Sequence, residues 1–286
     1  MVIVNWNTAG FLRSALRLLF SEPVDPPLQI IVVDNNSSDG SAQMVTSEFP
    51  EVILITNRRN DGYAKACNQG IERAGGEHIL LLNPDVEVKP STICRAAQWL
   101  SRNPRTAAVA IRLLSPDGSI QHSVRGFPRP MALFWEVIGF AKIFPKSRLF
   151  GAYRQRDFNY SRSSEVEQPM GSFLLVRRDA LNAIGLLDED FSIFFNEVDW
   201  LYRAHRLGWT IYYLTEESAI HYGGAATRLV APAMAWESRR GLLKFYRKHY
   251  RSPLFAPVYW VVAMTSWLQA MWVSRKRARE AVGKAG

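Results

Sequence analysis

The sequence is poor in cysteine, and its cysteines form no recognisable pattern. Among 286 residues only Cys67 and Cys94 carry thiols. Neither belongs to a Cys-x-x-Cys pair or to a zinc-ligand spacing, which argues against a metal cluster and against a disulfide scaffold. Two thiols in a chain of this length fit a reducing compartment, so we expect a cytoplasmic protein.

Other signals are also missing. No basic leader or cleavage site precedes Val2-Ile3-Val4, which indicates a first strand, so we expect no signal peptide. That strand leads into Asn5-Trp6-Asn7 and not into a Gly-x-Gly-x-x-Gly turn, which argues against a dinucleotide-binding oxidoreductase. There is no low-complexity tract and no internal repeat beyond an alternation of strands and helices.

Acidic residues are outnumbered by basic ones. Asp and Glu total 26 and Lys and Arg total 35, which gives a formal net charge of +9. This excess is compatible with nucleic acid, an anionic membrane surface or a phosphorylated substrate, and charge alone does not choose among them. The 48% of apolar residues supports a substantial core, in one large α/β domain or two small ones.

Apolar runs of strand length alternate with helical segments over residues 1–85. Three strand–loop–helix units precede a fourth strand, which ends at Asn83-Pro84-Asp85. This alternation predicts a parallel sheet with helices on both faces. After residue 114 the pattern changes, and residues 126–160 show no clear period, which is typical of a lid or binding loop.

Polar clusters follow three of the predicted strands, at Asn5–Thr8, Asp34–Gly40 and Asn83–Asp85. The carboxyl ends of strands in an open α/β sheet share one edge, where ligands bind. There Asp34 can accept a hydrogen bond from a nucleobase or ribose, and Asp85 can hold a divalent cation together with a phosphorylated ligand. The alternative for Asp85 is a cap on the following helix, because Asp is a common N-cap residue.

Residues 254–273 contain no charged side chain, and basic residues follow at positions 275, 276, 277 and 279. The length allows a membrane-spanning helix. The Trp residues and the basic flanks instead favour a helix that lies in the membrane interface. A helix packed on the protein core or on a second copy is the third alternative, and all three stay open.

Seven motifs occur in order along residues 1–250: VIVNWN, VVDNNSSDGS, NDGYAKACNQGI, LLLNPDV, GSFLLVRRDAL, DEDFSIFFNEVDWLYRAHRLGW and HYGGAAT. Together they resemble the family 2 glycosyltransferases of the GT-A fold, and most closely the rhamnosyltransferase-like branch. The resemblance implies an α/β fold with a Rossmann-like, mostly parallel central sheet flanked by helices, to which the uncharged stretch at 254–273 adds a C-terminal apolar helical extension. It also implies sugar transfer from a nucleotide sugar with inversion.

The resemblance assigns roles to particular residues. Asp34 matches the acid that holds uracil or thymine, and Asn83 and Asp85 match a metal motif whose first Asp is replaced here by Asn. We therefore expect Mg²⁺ or Mn²⁺ to bind with modest affinity, with the diphosphate supplying further oxygens. The predicted metal ligands are Asp85 and His221. The predicted nucleotide-sugar site comprises Asn5, Asn7, Asp34, Asn36, Asp61, Gly62, Asn68, Asn83, Asp85, His221 and Arg228.

Two of these residues have alternatives that stay open. His221 matches a His that contacts the diphosphate or the metal, and the less favoured alternative is a surface His with its hydrogen bonds satisfied. Arg228 is placed to grip phosphate, and a solvated Arg is an equal alternative.

Glu197 and Asp199 are the candidate catalytic residues, because both lie in the motif that supplies the family's general base. They are two positions apart at the start of a predicted helix and so do not share a face. Glu197 aligns with the base, and Asp199 is expected to orient the helix or hold a neighbour. The choice between them stays open at this point.

On this resemblance we predict an inverting glycosyltransferase. It would move rhamnose from dTDP-rhamnose, or a sugar from a UDP-sugar, onto a lipid-linked saccharide acceptor in cell-surface polysaccharide synthesis. Residues 1–114 would form the nucleotide-sugar half, 115–250 the acceptor and catalytic half, and 251–286 a tail that keeps the protein at the inner face of the plasma membrane. We expect no nucleic acid partner, and a homodimer stays open.

Two alternatives remain beside this prediction. A processive polysaccharide synthase usually carries a Gln-x-x-Arg-Trp block and several membrane spans, and this sequence has no such block and at most one candidate span. A non-catalytic homologue that binds nucleotide sugars is the other alternative, because Asn83 and Glu197 depart from the commonest pattern.

Overall fold

A nine-stranded sheet forms the centre of the computed structural model, which describes residues 1–224, 231–265, 267, 268 and 271. The strands are β1 Val2–Asn5, β2 Ile31–Asp34, β3 Ile53–Thr56, β4 His78–Leu82, β5 Val86–Glu87, β6 Thr106–Leu114, β7 Val124–Arg125, β8 Ser164–Glu165, β9 Gln168–Pro169, β10 Phe173–Arg177 and β11 Thr210–His221. The helices are α1 Ala9–Leu19, α2 Ser41–Glu48, α3 Tyr63–Arg73, α4 Pro90–Arg102, α5 Pro130–Val137, α6 Phe140–Ile143, α7 Arg178–Ile184, α8 Asn196–Arg206 and α9 Ala231–His249.

The strand order of the large sheet is β3-β2-β1-β4-β10-β6-β11-β5, with β8 paired to β11, and β7 pairs with β9 in a separate small sheet. Strands β1 to β4 are parallel to one another, as predicted. Strand β10 enters antiparallel between β4 and β6, so the sheet is mixed. A short buried apolar run predicts a strand but carries no information about its direction, which is why the sequence did not indicate this insertion.

Helices cover both faces of the sheet, as predicted. Helix α1 buries Leu12, Ala15, Leu16 and Leu19, which recur at helical spacing. The three leucines share one core cluster with Ile3 of β1 and with buried residues of α2 and α4. On the other face α3 lies so close to β1 that a side chain at Gly70 would overlap Val2. Adjacent strand residues point to opposite faces, so Val2 and Ile3 belong to different layers.

Residues 126–160 differ from the expectation of an aperiodic loop, because they contain α5 and α6. Pro130 stands in the first turn of α5, where its missing N–H costs nothing. Gly139 separates the two helices with φ of 88°, a left-handed conformation that glycine adopts readily. Helices of eight and four residues are too short to show a helical period in the sequence.

The chain forms two compact units. The first comprises Met1–Val124, Phe158–Ser192 and Asn196–Ala226, and contains the whole nine-stranded sheet. The second comprises Arg125–Asp157, Ile193–Phe195 and Thr227–Gly286, and contains α5, α6 and α9. The predicted division into functional halves at residue 114 is not tested by these units and stays a prediction.

Part of the apolar stretch at 254–273 is helical, over residues 256–265. Within the part of the chain that the structure describes, no helix combines the length and apolar character that a membrane span requires. Positions 266, 269, 270, 272 and 273 of this stretch lie outside the described residues.

Replacing Gly70 by Ala tests the close contact between α3 and β1. Because the added methyl group would overlap Val2, we expect the free energy of unfolding to fall by about 1–3 kcal/mol. The control is Gly10→Ala in α1, where nothing lies within 4 Å of the added methyl, so stability should stay unchanged or rise by up to about 1 kcal/mol. Urea denaturation of both variants measures this, and equal stabilities would contradict the packing described.

Candidate active site

The chain leaves β4 in a turn that places Asp85 at the edge of the sheet. Val86 N donates to Asn83 O at 3.2 Å, and β5 begins at once. Pro84 has no N–H and cannot continue the β4 ladder. Helix α4 starts only at Pro90, with Lys89 at its N-cap position. The alternative in which Asp85 caps the next helix is therefore wrong.

Strand β11 brings His221 beside Asp85. Its pairing with β6 shifts register between Leu214 and Ser218, and the strand then continues to His221. His221 pairs with Val86 of β5, so its Nε2 lies 3.6 Å from Asp85 Oδ1. Both side chains are buried, which excludes the alternative of a surface histidine.

Ser172 contacts both His221 and Asn83, and sequence reasoning missed this residue. Because β10 is antiparallel to β4, the residue before β10 lies opposite the residue after β4. Asn83 N donates to Ser172 O at 3.0 Å, and Asn83 Nδ2 donates to Ser172 Oγ at 3.2 Å. The same hydroxyl lies 3.2 Å from His221 Nε2. The available signal was the polar start of the GSFLLVRRDAL motif, but the rule for parallel strands concerns only residues that follow strands.

Gln121, which sequence reasoning also missed, fixes the protonation of the His221 ring. Gln121 Nε2 donates to the backbone carbonyl of His221 at 2.7 Å, and this bond identifies which end of the amide is nitrogen. Gln121 Oε1 then faces Nδ1 of His221 at 2.8 Å, and an amide oxygen can only accept. Nδ1 therefore carries the proton in the neutral ring, and the lone pair of Nε2 points towards Ser172 and Asp85.

Burial lowers the pKa of His221, and the nearby Asp85 carboxylate raises it by less, so the ring is neutral at pH 7. The Ser172 hydroxyl then donates to Nε2 while it accepts from Asn83. Tyr63 OH donates to Asn83 Oδ1 at 3.3 Å. The hydrogen bonds thus run in one direction from Tyr63 through Asn83, Ser172 and His221 to Gln121. This polarity leaves an imidazole nitrogen and a carboxylate oxygen facing each other.

Glu197 lies against Gly171, the residue that precedes Ser172. It stands in the first turn of α8, and its Cγ would be 3.1 Å from a Cβ built on Gly171. The carboxylate is also close to Tyr63: burial raises the phenol pKa well above its usual range, with smaller contributions from Cys67, Glu197 and Asp85. Burial likewise raises the pKa of the Cys67 thiol to about 12. One partly exposed carboxylate thus borders the site that contains Asp85.

Asp199 has a structural role. It is fully buried, and its Oδ2 accepts from Arg203 Nε at 2.8 Å. Arg203 also donates to the carbonyls of Ile184 and Leu186, at 2.6 and 2.7 Å. This agrees with the expectation that Asp199 holds a neighbour. A buried carboxylate paired in this way is not placed to take a proton from a bound acceptor, so the geometry favours Glu197 as the base.

Asp34 closes the loop after β2. Its Oδ1 accepts from Asn5 Nδ2 at 2.8 Å, and its Oδ2 accepts from the backbone N–H of Ser37 at 3.0 Å. Asn5 in turn accepts from Thr8 Oγ1 at 2.6 Å. Each carboxylate oxygen has a second lone pair, so the contact from Asp34 to a nucleobase stays a prediction.

The two loops at this edge hold each other through Asn7. Asn7 Oδ1 accepts from the backbone N–H of Ser38 at 2.7 Å, while Asn36 is exposed. Asn7 and Asn36 both adopt left-handed φ, 52° and 65°, which Asn tolerates better than most residues. Asp39 accepts from the first N–H of α1, at Ala9, and from the first N–H of α2, at Ser41, and so caps two helices.

The loop before α3 contains Asp61 and Gly62. Asp61 pairs with Lys65 and Arg59, at 3.0 and 2.6 Å, and these partners lower its pKa. Gly62 has φ of 97°, and a Cβ there would lie 2.7 Å from the Ser192 carbonyl oxygen, so no larger residue fits. A role for these two residues in binding the nucleotide sugar stays a prediction.

Asn68 and Arg228 remain from the predicted donor site. Asn68 is buried: its Nδ2 donates to Leu187 O and Glu189 Oε1, and its Oδ1 accepts from Leu187 N. This arrangement gives Asn68 a structural role in place of the predicted contact with the donor, because its amide already holds the 187–189 segment. Arg228 lies outside the described residues.

Two residues at this edge of the sheet could bind a divalent cation. Among the described residues no group of three or more His, Cys, Asp and Glu side chains could enclose a metal ion. Asp85 and His221 nevertheless present an oxygen and an unprotonated nitrogen to the same space, and Nε2 becomes available to an ion when the Ser172 hydroxyl turns its hydrogen away. A His ligand whose second nitrogen is held by another residue is the usual arrangement at metal sites. The two residues fit a cation that takes its remaining ligands from a diphosphate.

Comparison with solved structures identifies the fold as GT-A. The mannosyltransferase PcManGT from Pyrobaculum calidifontis in complex with GDP-Man and Mn²⁺ is similar over 100% of this chain and 74% of its own, with TM-score 0.59 and 18% identity. Residues 1–349 of S. aureus TarS in complex with UDP are similar over 88% of this chain and 71% of their own, with TM-score 0.52 and 16% identity.

The sequence comparisons define the class of protein as a glycosyltransferase. A family model described as Glycosyl transferase family 2 matches residues 1–185, and the chain belongs to this family. Among curated proteins, the N-acetylglucosaminyl-diphospho-decaprenol L-rhamnosyltransferase of Mycobacterium tuberculosis is 28% identical over 242 residues, which cover 79% of this chain and 76% of that protein. The resemblance to family 2 and the GT-A fold is therefore confirmed.

Replacing Asp199 by Asn tests whether this candidate base has a structural role, through its effect on the free energy of unfolding. Loss of the buried charge leaves Arg203 without its ion-pair partner, so we expect the free energy of unfolding to fall by about 3 kcal/mol. The matched change Glu197→Gln affects a partly exposed residue and should leave stability within about 0.5 kcal/mol of wild type. Denaturant unfolding measures both, and an unchanged Asp199→Asn variant would contradict the structural role.

Proposed function

We propose that this glycosyltransferase transfers a sugar from a nucleoside diphosphate onto a saccharide acceptor, with inversion at the anomeric carbon. The preferred donor is dTDP-rhamnose, with a UDP-sugar as the alternative. The acceptor is a lipid-linked saccharide of a cell-surface polysaccharide. The observation that carries the proposal is the cluster at the sheet edge, where Asp85 and His221 face each other and Glu197 lies close by.

The relatives support this choice of substrates. The curated relative from Mycobacterium tuberculosis is named for transfer of L-rhamnose to a diphospho-decaprenol carrier. The solved relatives were obtained with GDP-Man or UDP. In the proposed reaction the loops held by Asp34 and Asn7 bind the nucleoside part of the donor, at the carboxyl ends of β1 and β2.

We propose that Asp85 and His221 hold Mg²⁺ or Mn²⁺ beside the diphosphate. When bound, such an ion would neutralise the charge that develops on the leaving nucleoside diphosphate. The contribution of the chain is to keep His221 in one tautomer through Gln121 and to keep Asp85 buried against it. Asn83 acts indirectly, since its amide is used to hold Ser172 and Tyr63.

We propose Glu197 as the general base. An acceptor hydroxyl must lose its proton as its oxygen attacks the anomeric carbon, and a carboxylate within reach can accept that proton. The absence of a side chain at Gly171 leaves space next to Glu197 that a Cβ would fill. A single displacement of this kind inverts the configuration of the sugar.

The C-terminal stretch fits an interfacial position at the membrane, in line with a lipid-linked acceptor. Trp260, Met264, Trp267 and Leu268 are exposed large apolar residues spaced to share one face of a helix. This spacing supports the alternative in which the helix lies on the inner face of the membrane. The homodimer remains an expectation without support from the described residues.

Replacing Gln121 by Leu tests the role of the His221 tautomer. Without the amide oxygen the proton is free to move to Nε2, so we expect the affinity for Mn²⁺ in the presence of UDP to fall by about 10- to 100-fold. Thermal-shift titration with Mn²⁺ measures it. The control is Gln43→Leu on the exposed side of α2, which should bind Mn²⁺ like wild type. Equal affinities in both variants would contradict the role of Gln121.

Glu197→Gln and Asp85→Ala separate catalysis from binding. We expect Glu197→Gln to bind the donor as well as wild type but to transfer sugar about 10²- to 10⁴-fold more slowly, because the amide cannot accept the proton. Asp85→Ala should lose the stabilisation that Mn²⁺ adds to the nucleotide complex. A panel of dTDP- and UDP-sugars, assayed by thermal shift and by product analysis, provides the measurement.

Three results would contradict parts of the proposed function. Unchanged turnover in Glu197→Gln would move the base to another residue. Donor binding by the wild type without transfer to any acceptor would indicate a non-catalytic homologue. Products with many added sugars would indicate a processive synthase.

A further inference from the structure

The second unit of the chain carries an exposed surface none of whose residues belongs to the proposed site. Between residues 138 and 149, before, on and after α6, five large apolar side chains reach the solvent: Ile138, Phe140, Ile143, Phe144 and Leu149. The largest exposed fractions are 66% for Ile143, 60% for Leu149 and 49% for Phe144. Single exposed apolar residues are ordinary, but a contiguous group of this kind marks an interaction surface.

Basic side chains are interleaved with these apolar ones. Lys142, Lys146 and Arg148 are exposed, and none of them forms an ion pair with another described residue. No Asp or Glu occurs from residue 137 to residue 156. The nearest acid before this range, Glu136, is already paired with Arg154 at 2.8 Å. We call these five apolar and three basic residues, which lie between Ile138 and Leu149, the apolar–basic patch.

Ring contacts and a backbone hydrogen bond hold the segment that carries the apolar–basic patch. The ring of Phe150 lies 5.4 Å from that of Phe140 and 5.6 Å from that of Phe144, and Phe140 also contacts Trp135. Gly151 N donates to Ser147 O at 2.8 Å, and a Cβ on Gly151 would lie 2.5 Å from the Pro145 oxygen. These contacts within the segment hold its backbone and its rings in place. They therefore also hold the neighbouring side chains of the patch in their exposed positions.

We propose that the apolar–basic patch docks onto an anionic lipid surface. Apolar side chains that enter the boundary between headgroups and acyl chains, surrounded by Lys and Arg that meet lipid phosphates, are the features of an interfacial membrane contact. Charge complementarity selects this occupant, because the patch has positive charges only. The proposal goes beyond the C-terminal stretch and relies on the proposed function in one respect: a lipid-linked acceptor requires the enzyme to work at a membrane.

Co-sedimentation with vesicles tests the proposal on the full chain. The vesicles contain phosphatidylglycerol and phosphatidylcholine in equal parts, and pure phosphatidylcholine vesicles serve as the neutral comparison. We expect stronger binding to the anionic vesicles, and weaker binding as salt rises, since salt screens the attraction. The variant K142Q/K146Q/R148Q should bind them about a hundredfold more weakly, and I143E/F144E at least about tenfold more weakly.

Two control variants show whether vesicle binding depends on the apolar–basic patch. Leu207→Glu changes an equally exposed apolar residue of the first unit and should bind vesicles like wild type. W260E/M264E changes the C-terminal stretch alone. Circular dichroism and thermal unfolding confirm that each variant is folded, which is expected for substitutions at exposed positions.

The outcomes separate this proposal from the proposed function. If both patch variants bind anionic vesicles like wild type, or if only W260E/M264E loses binding, the proposal is wrong. If I143E/F144E converts a dimer into a monomer by light scattering without a change in vesicle binding, the patch serves a second copy and the proposal is also wrong. Transfer to a water-soluble acceptor analogue should stay unchanged in the patch variants. Vesicle binding without any transfer by the wild type would overturn the proposed function only.

Discussion

The hydrogen bond from Asn83 N to Ser172 O fixes the arrangement of the remaining groups at the sheet edge. It is the first contact beyond the antiparallel pairing of β4 with β10 and brings the start of β10 to the end of β4. Ser172 then lies between Asn83 and His221, and Gly171 lies against Glu197. A parallel β10 would have brought its other end, with Arg177, to this edge. The direction of one strand therefore decides whether the acid–histidine pair and the second carboxylate share a site.

The carboxylates of this edge divide into two groups by their surroundings. Asp34 and Asp39 accept backbone and side-chain hydrogen bonds that hold the loops after β1 and β2. Asp85 faces an imidazole nitrogen, and Glu197 borders the space beside Gly171. In the proposed function the first pair shapes the nucleoside end of the site, and the second pair acts at the diphosphate and the acceptor. Residue type alone would not have made this distinction, because all four are acids in polar loops or at a helix start.

How much the sequence could predict depended on where each residue lies relative to its strand. Asp34 and Asp85 follow apolar runs, and the rule for parallel strands placed them at one edge correctly. Ser172 precedes its strand, so the same rule passed over it. Gln121 is 100 positions from His221 and belongs to no motif, so only the folded chain could bring the two together. Asn68 was assigned to the donor through the resemblance, and its NDGYAKACNQGI motif does not show whether a polar helix residue binds a ligand or holds a loop.

The ion pair of Asp199 with Arg203 has a consequence for motion within the first unit. Arg203 holds the carbonyls of Ile184 and Leu186, and Leu187 N donates to Asn68 in α3. Helix α8, which contains Glu197, is thereby connected to α3, which begins with Tyr63, through hydrogen bonds of the 184–187 segment. These bonds restrict the movement of α8 relative to α3, so in its proposed role as base Glu197 would lose little configurational freedom when an acceptor binds. The entropic cost of positioning this carboxylate would then be met when the protein folds.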